Sequence, residues 1–179
     1  MPTSDRFSER YADLARYNAW ANERIYTAAA HLTESDYQAD RGVFFGSVHR
    51  TLNHLLVTDH IWMKRMTGTG AAPDRLDAIL FDTLPELAAA RKAEDARIID
   101  YIDTLTTDDL LADFTYANMA GARFRQMRAG TLDHLFNHQT HHRGQVHGLI
   151  SRMLGNECAP VLDLLAFQRE NSRGGVRCL

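Results

Sequence analysis

Four of the chain's nine histidines fall within nine positions, in the string His134-Leu135-Phe136-Asn137-His138-Gln139-Thr140-His141-His142. Imidazole is neutral near pH 7 and has a lone pair for a metal. Two such rings four residues apart on a helix stand one above the other, so His138 and His142 can converge on one ion. Where each ring points follows from the helical advance of about 100° per residue. With His134 at zero, His138 falls at about 40°, His142 at about 80° and His141 at about −20°. The apolar residues Leu135, Val146, Leu149 and Met153 centre at about 100° on the same wheel. His142 is therefore expected in the buried stripe and His138 at its margin. His134, His141 and Gln145 fall on the shoulder, and His147 points away. Partial burial and coordination both favour the neutral ring that a metal requires. A polar, solvated helix face is the competing reading of the same cluster.

A third ligand has to come from another helix, and the segment around residues 46–66 offers His49, His54 and His60. With His54 at zero, Val48, Leu55, Trp62 and Met66 lie between about 80° and 120°. Asn53 and Lys64 lie at about 260–280°, with His49 and His60 beside them. His54 is thus expected to face inward, and His49 and His60 to sit on a solvated face. A site of His54, His138 and His142 leaves coordination positions open, the arrangement of catalytic rather than structural zinc. All-imidazole donors suit Zn, Ni, Fe or Cu, and spacing does not choose among them. The zincin pattern HExxH needs a Glu directly after the first His. Gln139 stands there, and an amide cannot take the proton. No GxSxG elbow and no Gly-rich phosphate loop occurs.

These side chains need long helices to carry them. Phe7, Tyr11, Leu14, Asn18, Ala21 and Ile25 recur at three-and-four spacing and predict a helix over about residues 4–32. A second is expected over 46–66 with Ser47 as N-cap. A third begins at an N-cap Thr83 with Pro85 just inside and ends near Leu105. The fourth covers 131–154 and stops at Gly155. A short helix follows Pro160 through Leu162, Leu164 and Leu165. Polar breaks separate these segments at 33–40 and 106–109. Phe114, Tyr116 and Phe124 around Gly121 suggest a small hairpin ahead of the fourth helix. Four long amphipathic segments point to an all-α fold, an antiparallel four-helix bundle over residues 1–170, with 171–179 as a flexible tail.

Length and composition set the class. The 179 residues suit one domain, and 45% hydrophobic with 24% charged residues is an ordinary soluble balance. A net charge of −3 without a basic block argues against a nucleic-acid partner. No apolar run approaches the roughly 18–20 residues of a membrane span. The polar start shows no secretory signal. Two cysteines, Cys158 and Cys178, make no disulfide framework, so a cytoplasmic protein is expected.

The string Asn137-His138-Gln139-Thr140-His141-His142-Arg143-Gly144-Gln145 closely resembles the signature of the DinB-like (YfiT-like) proteins. So does Ser47 to His54 followed by Trp62. Tyr17-Asn18-Ala19-Trp20-Ala21-Asn22 looks like that family's opening helix, and Asp163-Leu164-Leu165 like its closing segment. The resemblance implies an up-down-down-up four-helix bundle, often homodimeric, with a divalent metal such as Zn, Ni, Fe or Mn on three histidines. By motif position these are His54, His138 and His142, the three that the wheels favour. It also implies chemistry through low-molecular-weight thiols such as bacillithiol or mycothiol, as S-transferase or isomerase. The expected function is a metal-dependent enzyme that activates such a thiol for a small-molecule substrate. The alternatives are a metal-dependent hydrolase using metal-generated hydroxide and a non-catalytic metal-binding stress-response protein.

Overall fold

A computed structural model describes residues 6–173. The chain is mostly helical, with a single small two-stranded sheet among the described residues. Its elements run α1 (Arg6–Ala29), α2 (Glu34–Gln38), α3 (Val48–Thr67), α4 (Leu84–Asp103), α5 (Thr107–Leu111), β1 (Asp113–Ala117), β2 (Arg123–Met127), α6 (Arg128–Leu154), a 3-10 turn (Asn156–Cys158) and α7 (Leu164–Glu170). Cys178 and the last six residues of the expected tail lie outside the described residues.

Local chemistry sets several boundaries where the sequence places them. Ser47 caps α3 by accepting from the Arg50 amide, and Thr83 caps α4 by accepting from Glu86. Each satisfies one of the orphan N–H groups of a first helical turn. Gly68 ends α3 in the left-handed conformation at φ 74°, which costs a glycine little. The two polar breaks are not plain loops. Thr33 and Thr106 each cap a five-residue helix, the second through a full capping box with Asp109. Helix α6 starts one turn earlier than its apolar pattern suggests, directly out of β2, with no side-chain cap. The Arg128 amide instead bonds the Ala112 carbonyl at 3.0 Å. The hairpin expected around Phe114, Tyr116 and Phe124 is present, β1 pairing antiparallel with β2 so that Tyr116 faces Phe124.

Inter-helix pairs show how the four long helices lie. Tyr11 meets Asp133 and Asn18 meets Arg143, so α1 and α6 run in the same direction. Arg16 meets Asp103 and Asn22 meets Asp95, so α1 and α4 run oppositely. Asp59 meets Arg91 and Thr67 meets Arg97, so α3 and α4 run together. His54 lies by His142 and Trp62 by His134, so α3 and α6 run oppositely.

The core has two apolar halves. One gathers Ile25, Leu52, Leu55, Leu87, Val146 and Ile150; the other gathers Tyr11, Met63, Ile98, Leu110, Leu132 and Leu135. Along every long helix the switch from one half to the other is marked by buried polar residues: Asn18 and Asn22, Asp59, Arg91 and Asp95, Gln139 and Arg143. Arg91 holds Asp59 at 2.6 Å and Asp95 at 2.9 Å. Asn22 donates to Asp95 at 2.9 Å, and Arg143 donates to Asn18, to Asn22 at 3.1 Å and to Gln139. Burial pushes both carboxyls up and the Arg91 guanidinium opposes it. Two carboxylates and two guanidiniums sharing hydrogen bonds keep this layer neutral, the condition under which buried charges are tolerated.

Candidate metal centre

His54 on α3 and His138 and His142 on α6 come together, each offering a ring nitrogen within 4.8 Å of the others. Ring centroids are 4.5 Å apart for His138 and His142, 4.7 Å for His54 and His142, and 5.0 Å for His54 and His138. The first distance is the i, i+4 geometry of one helix. The other two exist because α3 and α6 pack antiparallel, with Gln139 Nε2 donating across the seam to the Leu55 carbonyl at 3.2 Å.

Outer partners set the tautomers of two rings. His54 Nδ1 donates to the Leu76 carbonyl at 2.8 Å, and His142 Nδ1 donates to Gln145 Oε1 at 2.8 Å. In each neutral ring the proton is on Nδ1, which leaves the Nε2 lone pair free. His54 Nε2 approaches His138 Nε2 at 3.1 Å. Two lone pairs that close repel unless a proton or a cation lies between them. Tetrahedral bonds of about 2.0–2.1 Å separate ligand nitrogens by about 3.3 Å, so the donor set fits a metal ion.

Burial keeps the rings ready. It lowers the His54 pKa to about 4, against the Leu76 hydrogen bond that raises it. Burial and then the neighbouring His142 and His54 lower His138 to about 3. His142 is lowered too, chiefly by burial. At pH 7 all three rings are neutral, the form a metal requires.

The remaining histidines are distributed differently. His134 and His141 are exposed, as their shoulder positions imply. His134 packs its edge against Trp62, and His141 reaches Gln145 Nε2 at 3.2 Å, one step outside the cluster. The face carrying Asn53, His49 and His60 departs from the expected solvated one. Asn53 is fully buried, accepting from the Leu80 and Phe81 amides at 2.8 and 3.1 Å. His49 donates to the Phe81 carbonyl at 3.0 Å and packs on Tyr37. His60 lies 3.5 Å from Glu94 and is pushed down by burial. The loop before α4 and the short α2 cover this side of α3, so its wheel reports polarity but not exposure.

Phe45 is the contact that sequence reasoning missed. It stacks on His54 with centroids 3.8 Å apart and sets its edge to His142 at 5.4 Å. Its place is fixed by the tight turn joining Val43 to Gly46, where Gly46 has φ 84°. The one visible signal was an aromatic pair, Phe44-Phe45, between two glycines.

A cleft of about 520 Å³ opens beside the rings, lined by His54, His138, Thr58, Trp62, Leu76 and Met119 among others. The hairpin forms its far wall: Tyr116 packs on Trp62 at 5.1 Å, which brings Asn118 to Ala120 over the opening.

The model of the DinB family matches residues 1–173. The chain belongs to the DinB family. It is also similar to Protein DinB of Bacillus subtilis (strain 168), 26% identical over 155 residues, which cover 82% of this chain and 87% of that relative. The family match takes in α1, α3 and α6, so the three histidines of this DinB-family protein lie inside the matched region. No helix among the described residues is long and apolar enough to cross a membrane.

Proposed function

We propose that this DinB-family protein is a metal-dependent enzyme built on an up-down-down-up four-helix bundle, holding one divalent transition metal on His54, His138 and His142 and activating a low-molecular-weight thiol. The observation that carries the reading is the convergence of the three rings, with His54 Nε2 and His138 Nε2 3.1 Å apart and Leu76 and Gln145 holding the opposite edges of His54 and His142. A divalent metal there lowers the pKa of a thiol or water that reaches it.

The protein's own groups then have distinct tasks. Leu76 and Gln145 fix ring orientation. Phe45 closes one side of His54 and keeps water from that face. Trp62 and Met119 give the cleft an apolar wall, while three protein ligands leave room for a reactant. No Asp or Glu lines the cleft among the described residues, and Gln139 is turned into the core. Strong general-base work is therefore poorly supplied. A thiol, with a free pKa of about 8.5, needs far less help to ionise than water at about 15.7. That contrast favours S-transfer over hydrolysis. The hydrolytic reading rests on His134, which lines the same cleft and could take a proton. Homodimerisation and a cytoplasmic location belong to the same proposal, the first resting on the family.

The test is metal content by mass spectrometry, followed by thiol-conjugation assays. His54→Ala, His138→Ala and His142→Ala are each expected to lose most bound metal, while His49→Ala keeps it. Full occupancy in His142→Ala would refute the assignment. Sedimentation at micromolar concentration that gives only monomer would remove the dimer.

A further inference from the structure

The cleft beside the histidines contains one cation, Arg65, and its surroundings are unusual for a guanidinium. It lies over the Trp62 ring at 4.6 Å and the Tyr116 ring at 5.4 Å. It lines the cleft together with His54 and His138, and also an adjoining cavity of about 390 Å³ shared with Lys64 and Asp74. It is half-buried, and burial lowers its pKa from the ordinary arginine value. Among the described residues it has neither a carboxylate partner nor a hydrogen bond, and it forms no ion pair with Asp74 across the adjoining cavity. Arg16, Arg24, Arg41, Arg75, Arg91, Arg97 and Arg125 are each ion-paired, Arg128 and Arg143 are hydrogen-bonded, and arginines without either kind of side-chain partner among the described residues, such as Arg50, Arg123 and Arg152, are exposed rather than half-buried.

We infer that Arg65 is the anchor for a carboxylate on the small molecule that enters the cleft, so that the site takes a monoanionic, otherwise apolar ligand. This deepens the reading of the metal centre by naming the class of molecule presented to it. Stacking on two rings holds the guanidinium plane and leaves its N–H edge free, the edge that grips a carboxylate through two parallel hydrogen bonds. Little ordering remains to be done when the ligand arrives. The charge count selects a monoanion. In the metal-free cleft one guanidinium compensates one negative charge, and a second charge against the wall of Trp62, Ile61, Leu76 and Met119 would stay unpaired on apolar surface. The apolar wall in turn receives the hydrocarbon part of the ligand.

The test uses 3-phenylpropanoate, its neutral amide and the matching phosphonate. Each is titrated into metal-free and zinc-loaded protein at pH 7.5, following the Trp62 indole and Arg65 Nε resonances by two-dimensional NMR. Metal-free protein is expected to bind the carboxylate about tenfold more tightly than the amide, as befits a charge-assisted pair. Arg65→Met should cut that preference to within about twofold, and Arg65→Lys should keep part of it, since charge survives and the fork does not. Both variants are checked for an unchanged thermal midpoint. A preference that survives in Arg65→Met, or one that appears only with zinc, places the carboxylate elsewhere and overturns the proposal. Equal binding of carboxylate and amide overturns it too, and tighter binding of the phosphonate overturns the monoanion class. Because the metal-free arm needs no ion, failure of the histidine assignment would show separately, as missing zinc in the loaded sample.

Discussion

Gln145→Leu is the most informative single change at the candidate centre, because it leaves all three proposed ligands in place. Leucine nearly matches the volume of glutamine, but it removes the acceptor 2.8 Å from His142 Nδ1. His142 then loses the contact that sets both its tautomer and its ring orientation. Outer-shell partners of metal-bound histidines are typically worth about 10–100-fold in metal affinity, and a tenfold change is about 1.4 kcal/mol. The upper part of that range is excluded here, since the i, i+4 stack with His138 still restrains the ring. The expected loss is therefore about 10–30-fold. Competition between the protein and a calibrated chelator measures it directly. His141→Ala is the contrast: it touches the far end of Gln145 from an exposed position, and its effect should stay below about threefold. An unchanged affinity in Gln145→Leu, or equal losses in the two variants, would show that the 2.8 Å contact does not prepare His142 for a metal.

Three further outcomes follow from the same structure. Metal-free protein should lose stability on acidification: His54 and His138 sit at about 4 and about 3, below the unfolded value near 6.5, so the folded state binds fewer protons across that window. Unfolding free energy, read from urea melts, should fall from pH 6.5 towards 4, by at most about 1.4 kcal/mol per pH unit for each ring and less where solvent reaches it; His138→Gln should flatten the slope, and an unaltered slope would contradict the neutral-cluster reading. Arg91→Met leaves Asp59 and Asp95 buried without their cation and should cost about 3–5 kcal/mol at pH 7.5, less at pH 5, where the carboxyls protonate more readily; a loss under about 1 kcal/mol by urea unfolding would mean that the polar layer is not holding charge. Phe45→Ala should raise solvent exchange at His54 and weaken metal binding modestly while the circular dichroism spectrum stays helical; unchanged His54 exchange would deny Phe45 its covering role.

How much of this was legible beforehand differs from feature to feature. The helical character, the caps at Ser47 and Thr83, the hairpin near Gly121 and the convergence of His138 with His142 all follow from spacing along a few residues. Each depends on interactions within one or two turns of chain, which is the range over which sequence periodicity carries information. His54 was legible for the same reason, as the one histidine of its segment on the apolar side. The short helices after Thr33 and Thr106 were missed because five residues are too few to show a period.

What tertiary structure alone decided lies between elements. The wheel of α3 marks Asn53, His49 and His60 as polar, yet the 76–81 loop and α2 cover the first two and Glu94 of α4 lies against the third, and no property of α3 foretells that cover. Asp59, Arg91 and Arg143 look like solvated residues when each helix is read singly. They are buried because four helices bring them to one level, where opposite charges pair and amides supply hydrogen bonds that offset the cost of leaving water. Phe45, Gln145 and the Leu76 carbonyl acquire their roles in the same way, by approaching the histidines from a turn, a helix shoulder and a loop. The inward placement of the three histidines was therefore readable from residue spacing, while the contacts that orient their rings depend on long-range packing, which no local period encodes.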